Sequence, residues 1–269
     1  MLHPVHGRIV PMSFRVFSWN VNGIRSVAKK GFAQFLRDYE PEILCIQEAR
    51  ANPEDLPAEL VSPEGYHTYH EVASKKGYSG VSLYSMFQPV SLETSFGNTR
   101  FDGEGRIQIA EFESFVLFNL YFPNGKQIEE RLDYKLGFCE QLLLELQRFK
   151  ERKVIICGDY NTAHQPIDLK NPRENEKYSG FLPVEREWID RLISHGFVDV
   201  YRVLQPDTIQ YSWWSYRFNC RAKNIGWRID YHFVSENLLP FVSKPVIHDE
   251  VTGSDHCPLS LVVDLPMSQ

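Results

Sequence analysis

The stretch RIQIAEFESFVLFNLYFPNG (106–125) holds two runs rich in Ile, Val and Phe, RIQIAEF (106–112) and FVLFNLYF (115–122), with only Glu113 and Ser114 between them. Such residues favour extended backbone, and a two-residue connection joins strands only as an antiparallel pair. Runs of the same kind recur on both sides. FRVFSW (14–19), EILCIQ (42–47) and GVSLYS (80–85) precede the pair, and KVIICGD (153–159), IDYHFVS (229–235) and LSLVVDL (259–265) follow it. Three stretches between them carry the helical period. KGFAQFLRDY (30–39) puts Phe32, Phe35 and Leu36 on one face, and residues 128–149 align Ile128, Leu132, Leu136, Leu142, Leu146 and Phe149. VEREWIDRLISHG follows Pro183 and closes at Gly196. Short strand pairs with single helices between them imply mixed or antiparallel sheets flanked by helices. Residues 1–12, with two prolines and no period, are expected to form a flexible N-terminal extension in which Met12 offers an alternative start. Residues 13–269 are expected to form one domain.

Lys and Arg number 29 against 35 Asp and Glu, for a net charge of −6. That balance does not by itself suggest a nucleic-acid binder, but binding depends on local surface charge and a metal site concentrates acids. Cys45, Cys139, Cys157, Cys220 and Cys257 are odd in number and form no Cys-x-x-Cys pair, which argues against a zinc site or a disulfide framework. No apolar stretch reaches a membrane span and the N-terminus does not have the order of a signal peptide. The expectation is a soluble cytoplasmic protein, nucleoid-associated if prokaryotic.

The chemistry gathers where the apolar runs end. Trp19-Asn20-Val21-Asn22-Gly23 follows the first strand, Gln47-Glu48 the second, Tyr121 to Gly125 the hairpin strand and Gly158-Asp159-Tyr160-Asn161 another; Ser254-Asp255-His256 precedes the last, and Asp230 sits in GWRIDY. A sheet fixes geometry while its end loops supply reactive groups. Glu48, Asp159, Asp255, Asn20, Asn161 and a His make an oxygen-rich set that suits Mg²⁺ or Mn²⁺ rather than zinc. Taken singly these segments are unspecific: a Glu after a strand also serves as a cap, GDYN and SDHCP also make turns, and Asp230 also reads as a buried acceptor for backbone N–H.

Together they are stronger. SWNVNGIR, ILCIQE, KGYSGV, EGRI, YFPNG, CGDYNTAH, SGFLPVERE, YSWWSYR, GWRIDY and SDHCP stand in the order seen in the exonuclease III family of abasic-site endonucleases, within the endonuclease/exonuclease/phosphatase superfamily, which the chain resembles from residue 14 onward. The resemblance implies an α/β fold, a four-layer α/β/β/α sandwich of two mixed, mainly antiparallel sheets flanked by helices, deoxyribonuclease I-like. It implies a Mg²⁺-dependent hydrolase, with Mn²⁺ substituting, that cuts duplex DNA 5′ to abasic or damaged sites as a monomer and leaves a 3′-hydroxyl. Exonuclease and 3′-phosphodiesterase side activities come with it.

The resemblance also assigns roles. Glu48 is the principal metal ligand, with Asn20 and Asp255 near it and Asp159, Asn161 and His256 in the same set. Asp159 deprotonates the attacking water or protonates the leaving group, and both roles stay open. Asn161 holds the nucleophile or a phosphate oxygen, His256 donates to a non-bridging oxygen with Asp230 fixing its tautomer, and Tyr121 meets the phosphate. Asn124 and Lys126 are further phosphate contacts. Trp213, Trp227 and Ile229 form the pocket for a base-less sugar, and Arg217 and Phe218 wedge into the duplex. Lys29, Lys30, Lys75, Lys76 and Tyr78 read either as phosphate contacts or as solvated surface. Two positions depart from the pattern: Asn22 stands where some relatives carry Asp, and Ala49-Arg50 where Thr-Lys is common. A phosphoesterase for inositol phosphates or phospholipids would share the Glu and Asp-His ends but lack the aromatic-basic segment 211–228. A catalytically dead binding protein would have lost Glu48, Asp159, Asn161, Asp230 or His256.

Overall fold

The long apolar runs become the inner strands of two six-stranded sheets. The structure is a computed structural model that describes residues 10–125 and 128–267. In chain order the strands are β1 (Val10–Asn20), β2 (Ile43–Gln47), β3 (His67–Glu71), β4 (Val81–Ser85), β5 (Ser91–Glu93), β6 (Ile107–Glu111) and β7 (Val116–Tyr121). Then come β8 (Val154–Asp159), β9 (Phe197–Asp199), β10 (Trp213–Trp214), β11 (Gly226–Trp227), β12 (Asp230–Ser235), β13 (Val242–Ile247) and β14 (Leu259–Met267). One sheet runs β13-β14-β1-β2-β4-β3 and the other β5-β6-β7-β8-β12-β9, while β10 and β11 form a separate ribbon. The pairs β1–β2 and β7–β8 are parallel. The remaining neighbours within the two sheets are antiparallel.

Alternation of side chains along each strand divides the apolar residues among three layers. Val16, Ile43, Cys45 and Leu83 of the first sheet pack against Leu117, Ile155, Cys157 and Val234 of the second. On the outer face of the first sheet, Phe17, Trp19, Leu44 and Ile46 receive Phe32 and Phe35 from the helix Phe32–Tyr39. On the outer face of the second, Phe118, Leu120 and Ile156 receive Phe138 and Leu142 from the helix Glu129–Leu146, and Trp188 and Ile189 from the helix Pro183–Ser194. The result is the four-layer α/β/β/α sandwich that the motif order implies. Strands covered on both faces read as continuous apolar runs.

Two expectations shift. Strand β1 starts at Val10, which pairs with Met267, so residues 10–12 belong to a sheet rather than to an extension; residues 1–9 lie outside the described ones. In the helix Glu129–Leu146 the buried side is Lys135, Phe138, Cys139, Leu142, Leu143, Glu145 and Leu146. Ile128 is exposed and Leu132 and Leu136 are half-buried, because the helix meets the sheet along a line set by Phe138 and Leu142. Among the described residues no helix is long and apolar enough to cross a membrane.

Candidate active site

The layer between the sheets changes character along its strands. It is apolar at Val16, Ile43, Leu117, Ile155 and Val234. One register further, Gln47 Nε2 donates to Ser18 Oγ (3.0 Å) and to Asn119 Oδ1 (2.8 Å), and Asn119 Nδ2 donates to Gln108 Oε1 (2.9 Å). At the open end stand Asn20, Tyr121, Asp159 and Asp230. Tyr121, Asp159 and Asp230 are direct cross-strand partners over β7, β8 and β12, so one row of the sheet points three polar groups the same way. Gly158 makes that approach feasible: its φ is +142° and a Cβ there would lie 1.8 Å from the carbonyl oxygen of Leu120.

His256 Nδ1 meets Asp230 Oδ2 at 2.8 Å, and His256 Nε2 faces Asp159 Oδ2 at 3.9 Å. Burial opposes the charged ring of His256, but Asp230 and Asp159 outweigh it and lift the ring to about 10. The imidazole is therefore a cation at neutral pH, with Nδ1–H committed to Asp230. Burial raises Asp159 to about 7, with His256 opposing and Asp230 adding to the rise. Its oxygens accept from the backbone N–H of Asn161 (2.8 Å) and from Asn20 Nδ2 (2.8 Å). Burial, followed by the charge of Glu48, pushes the phenol of Tyr121 well above its usual range, so Tyr121 keeps its proton and is a donor.

Glu48 follows β2 with φ +58°, a conformation uncommon outside glycine that recurs at functional sites. Its Oε2 accepts from Asn20 Nδ2 at 3.0 Å, and its Oε1 is ion-paired with Arg50. Asn20 thus spends one amide on two carboxylates, Glu48 and Asp159, while its Oδ1 accepts from the Asn22 N–H at 2.9 Å. Asp255 Oδ1 accepts from Asn22 Nδ2 (2.8 Å) and Asp255 Oδ2 from Trp213 Nε1 (3.1 Å). Asn161 Nδ2 donates to the Phe122 carbonyl (2.9 Å), and Asn161 Oδ1 accepts from Asn124 Nδ2 (3.1 Å).

These groups line one cleft of roughly 320 Å³ that contains Glu48, Tyr121, Asn124, Asp159, Asn161, Asp255 and His256 on one side and Trp213, Trp227 and Ile229 on the other. Trp213 and Trp227 meet edge to face across β10 and β11 with centroids 6.3 Å apart. The ribbon is tied to the Asp255-His256 segment: Trp214 N–H donates to the Asp255 carbonyl (3.0 Å) and Cys257 N–H to the Ser212 carbonyl (2.8 Å). Arg217 and Phe218 are not in the cleft wall. They sit on the tip that joins β10 to β11, where Phe218 is 83% exposed and has φ +59°. A bulky ring held out in that conformation is a strained, solvent-facing feature. Lys126 lies outside the described residues. Lys30 Nζ donates to the Gly253 carbonyl (3.1 Å) and Lys76 pairs with Asp55 (3.1 Å). Tyr78 accepts from Arg106 at 2.8 Å and belongs to an internal cluster with Glu104.

Three residues of the site escaped the sequence reading. Ser212 Oγ donates to Asp230 Oδ2 at 2.6 Å and accepts from the N–H groups of Ile229 and Asp230 (3.1 Å each). Lys135, buried on the sheet side of its helix, donates from Nζ to the Asn161 carbonyl (2.9 Å), Thr162 Oγ1 (2.6 Å) and Glu185 Oε1 (2.6 Å). Glu185 Oε2 in turn accepts from the Gly180 N–H at 2.6 Å. The one signal for Lys135 was a cation among apolar positions of an amphipathic helix.

The donor set fits a hard divalent cation. Asp159, Asp230 and His256 bring ligand atoms within 4.8 Å of one another, a group that could hold a metal ion only if the His256 ring gave up its proton; Glu48 and Asp255 are the carboxylates of the same cleft outside that hydrogen-bonded line. Oδ1 of Asp230 is buried without a hydrogen-bond partner among the described residues, so the cluster carries more negative charge than its own donors satisfy. The oxygens are carboxylate and carboxamide oxygens, the ligands that Mg²⁺ and Mn²⁺ take.

The model of the Endonuclease/Exonuclease/phosphatase family matches residues 17–256. An exodeoxyribonuclease of Bacillus subtilis is 42% identical over 254 residues, which is 93% of this chain and the whole of that protein. The DNA repair nuclease APEX1 of Danio rerio is 40% identical over 253 residues, covering 93% of this chain and 82% of that one. The solved structure of an AP endonuclease from Archaeoglobus fulgidus superposes with a TM-score of 0.85 at 28% identity, over 94% of this chain and all of the other.

Proposed function

Since the chain belongs to the endonuclease/exonuclease/phosphatase family, we propose that it is a DNA-repair phosphodiesterase of the exonuclease III type. It hydrolyses the backbone of duplex DNA 5′ to abasic sites and leaves a 3′-hydroxyl, with 3′→5′ exonuclease and 3′-phosphodiesterase activity on the side. Relatives named as an exodeoxyribonuclease and a DNA repair nuclease support the chemistry. The observation that carries the reading is the buried line Asp230–His256–Asp159 facing an indole-walled pocket in the same cleft.

In this reading Glu48 and Asp255 would hold Mg²⁺, for which Mn²⁺ would substitute. This narrows the six-residue ligand set that the motif order implies, because the carboxamide oxygens of Asn20 and Asn161 already accept from the Asn22 N–H and from Asn124 Nδ2, and Asp159 and His256 serve as the proton-handling groups. The cation supplies Lewis-acid stabilisation of charge at the phosphate. The rest is done by side chains. Asp159, raised to about 7, exchanges a proton at neutral pH as base for the attacking water or acid for the leaving oxygen. The His256 cation donates from Nε2 to a non-bridging oxygen while Asp230 holds Nδ1–H, and Tyr121 donates its phenolic proton. Asn124, Asn161 and Lys126 contact the phosphates. Trp213, Trp227 and Ile229 enclose the extruded sugar. A base-less nucleotide leaves the stack at low cost and fits a small pocket that a base-bearing one does not. Arg217 and Phe218 enter the duplex and hold it open. The five free, buried cysteines suit a reducing compartment, and the chain acts there, in the cytoplasm, as a monomer.

The experiment is incision of an end-labelled abasic duplex, an undamaged duplex and a phosphoinositide, with EDTA and then with Mg²⁺ or Mn²⁺ restored. The expected result is one metal-dependent nick 5′ to the lesion. Hydrolysis of the phosphoinositide with an intact abasic duplex would contradict the reading.

A further inference from the structure

Arg50 stands two residues beyond Glu48 and lines the same cleft. Its guanidinium is ion-paired with Glu48 Oε1, the oxygen that Asn20 leaves free, and its side chain is 46% exposed against 11% for Glu48. The backbone holds it there: Arg50 has φ +53° and its N–H donates to the Ser79 carbonyl at 2.8 Å. The carboxylates Glu48 and Asp255 line this end of the cleft together with Arg50, so the guanidinium stands where a divalent ion would balance the same charge.

We propose that Arg50 is a displaceable counter-ion: it pairs with Glu48 while the metal site is open, yields that oxygen to the incoming divalent cation, and turns into the cleft to meet a DNA phosphate. The inference rests on the metal-centre reading given above. Three features favour exchange over a fixed bridge. The guanidinium end of the pair is half-exposed and carries one charge against the two of a divalent ion, so the ion outcompetes it for the same oxygen. A planar guanidinium binds phosphate oxygens in a fork. And Arg50 lines the cleft with a half-exposed side chain, so release leaves it in solvent and not in the core.

The test is Mn²⁺ titration of the full chain followed by electron paramagnetic resonance, in the wild type, Arg50→Ala and Arg50→Lys. Both variants keep the backbone N–H, and both alter a half-exposed side chain. Removing the competing cation is expected to tighten Mn²⁺ binding about three- to tenfold in Arg50→Ala and less in Arg50→Lys, the span of a weak, partly exposed ion pair. On an Asp159→Asn background, to prevent cutting, Arg50→Ala is expected to bind an abasic duplex about three- to tenfold more weakly with Mn²⁺ present and about equally in EDTA. Unchanged or weaker Mn²⁺ binding in Arg50→Ala overturns the counter-ion role. Unchanged duplex binding with Mn²⁺ overturns the turn toward phosphate. If the wild type binds no Mn²⁺ at all, the metal-centre reading itself fails, and the inference with it.

Discussion

Nδ1 of His256 lies 2.8 Å from Oδ2 of Asp230; both side chains are buried, and His256 lines the cleft. The carboxylate fixes which ring nitrogen carries the committed proton and keeps the ring charged up to about 10. Asp230→Asn keeps the shape and removes the charge. The folded value of His256 then falls toward its ordinary one. Asp230→Asn is expected to lose rate relative to the wild type as pH rises through neutrality, because its His256 deprotonates there and that of the wild type does not. The overall loss in kcat is expected to be about 10–100-fold with KM changed much less. A pH–rate profile of abasic-duplex incision from pH 6 to 9 checks both. An unchanged alkaline limb would show that Asp230 does not act through the ring.

Trp213 has two jobs on one side chain, as a wall of the pocket and as donor to Asp255 Oδ2 at 3.1 Å. Trp213→Phe keeps an aromatic wall but deletes the N–H, leaving Asp255 held by Asn22 and Ser254. The concentration of Mg²⁺ giving half-maximal rate is expected to rise roughly tenfold while KM for the abasic duplex moves about threefold or less, since a hydrogen bond to a charged group contributes on the order of 1.5 kcal/mol. A matched rise in both would assign Trp213 to the pocket alone.

Lys135 and Glu185 form an ion pair with both side chains essentially inaccessible. Lys135→Met leaves a buried carboxylate and withdraws the donor from the Asn161 carbonyl. Breaking one side of such a pair costs on the order of 3 kcal/mol, read as a lower urea midpoint. Single-turnover incision by the folded variant is expected to slow as well, because Asn161 loses its anchor. A shift below about 1 kcal/mol would mean that the loop is held by other contacts.

His232 sits on β12 facing the inter-sheet layer, where burial lowers its ring to about 3. A base depressed in the folded state stays neutral there but takes a proton in the unfolded chain once pH drops below about 6.5. Its contribution is therefore whole above that pH and is lost as pH falls toward 3, at up to about 1.4 kcal/mol per pH unit. His232→Leu should flatten that acid limb. Between pH 7.5 and 5 the wild type is expected to lose about 2 kcal/mol more than the variant, measured by urea unfolding at each pH. Parallel losses would place the acid sensitivity elsewhere.

Within the two six-stranded sheets the strands legible in the sequence are the inner ones, and the four that were not, β3, β5, β9 and β13, are the edges. An edge strand is half-solvated and reads as HTYHE or SLE, without an apolar run. In β13, Pro245 interrupts VSKPVI, and proline is tolerated only where no neighbour needs its N–H. The ends of the inner strands were legible for the opposite reason: a polar residue closing an apolar run has to be there for its chemistry. Asn20, Glu48 and Asp159 were found that way, and His256 by standing just before the last run. Ser212, Lys135 and Arg50 act through partners remote in sequence or through an ion pair that local spacing does not announce. The starting point of β1 was missed because Val10 and Pro11 gain their place only from Met267 and Pro266 across the ladder.

The direct test of the account is Asp159→Asn, which keeps the volume and hydrogen-bonding shape of a side chain that Asn20 and Asn161 hold in place. Binding of an abasic duplex and its incision are measured on the same preparation. The account predicts a Kd within about threefold of wild type and a nicking rate lower by at least about 10²-fold, the usual worth of a positioned acid or base. Incision at the wild-type rate would contradict it.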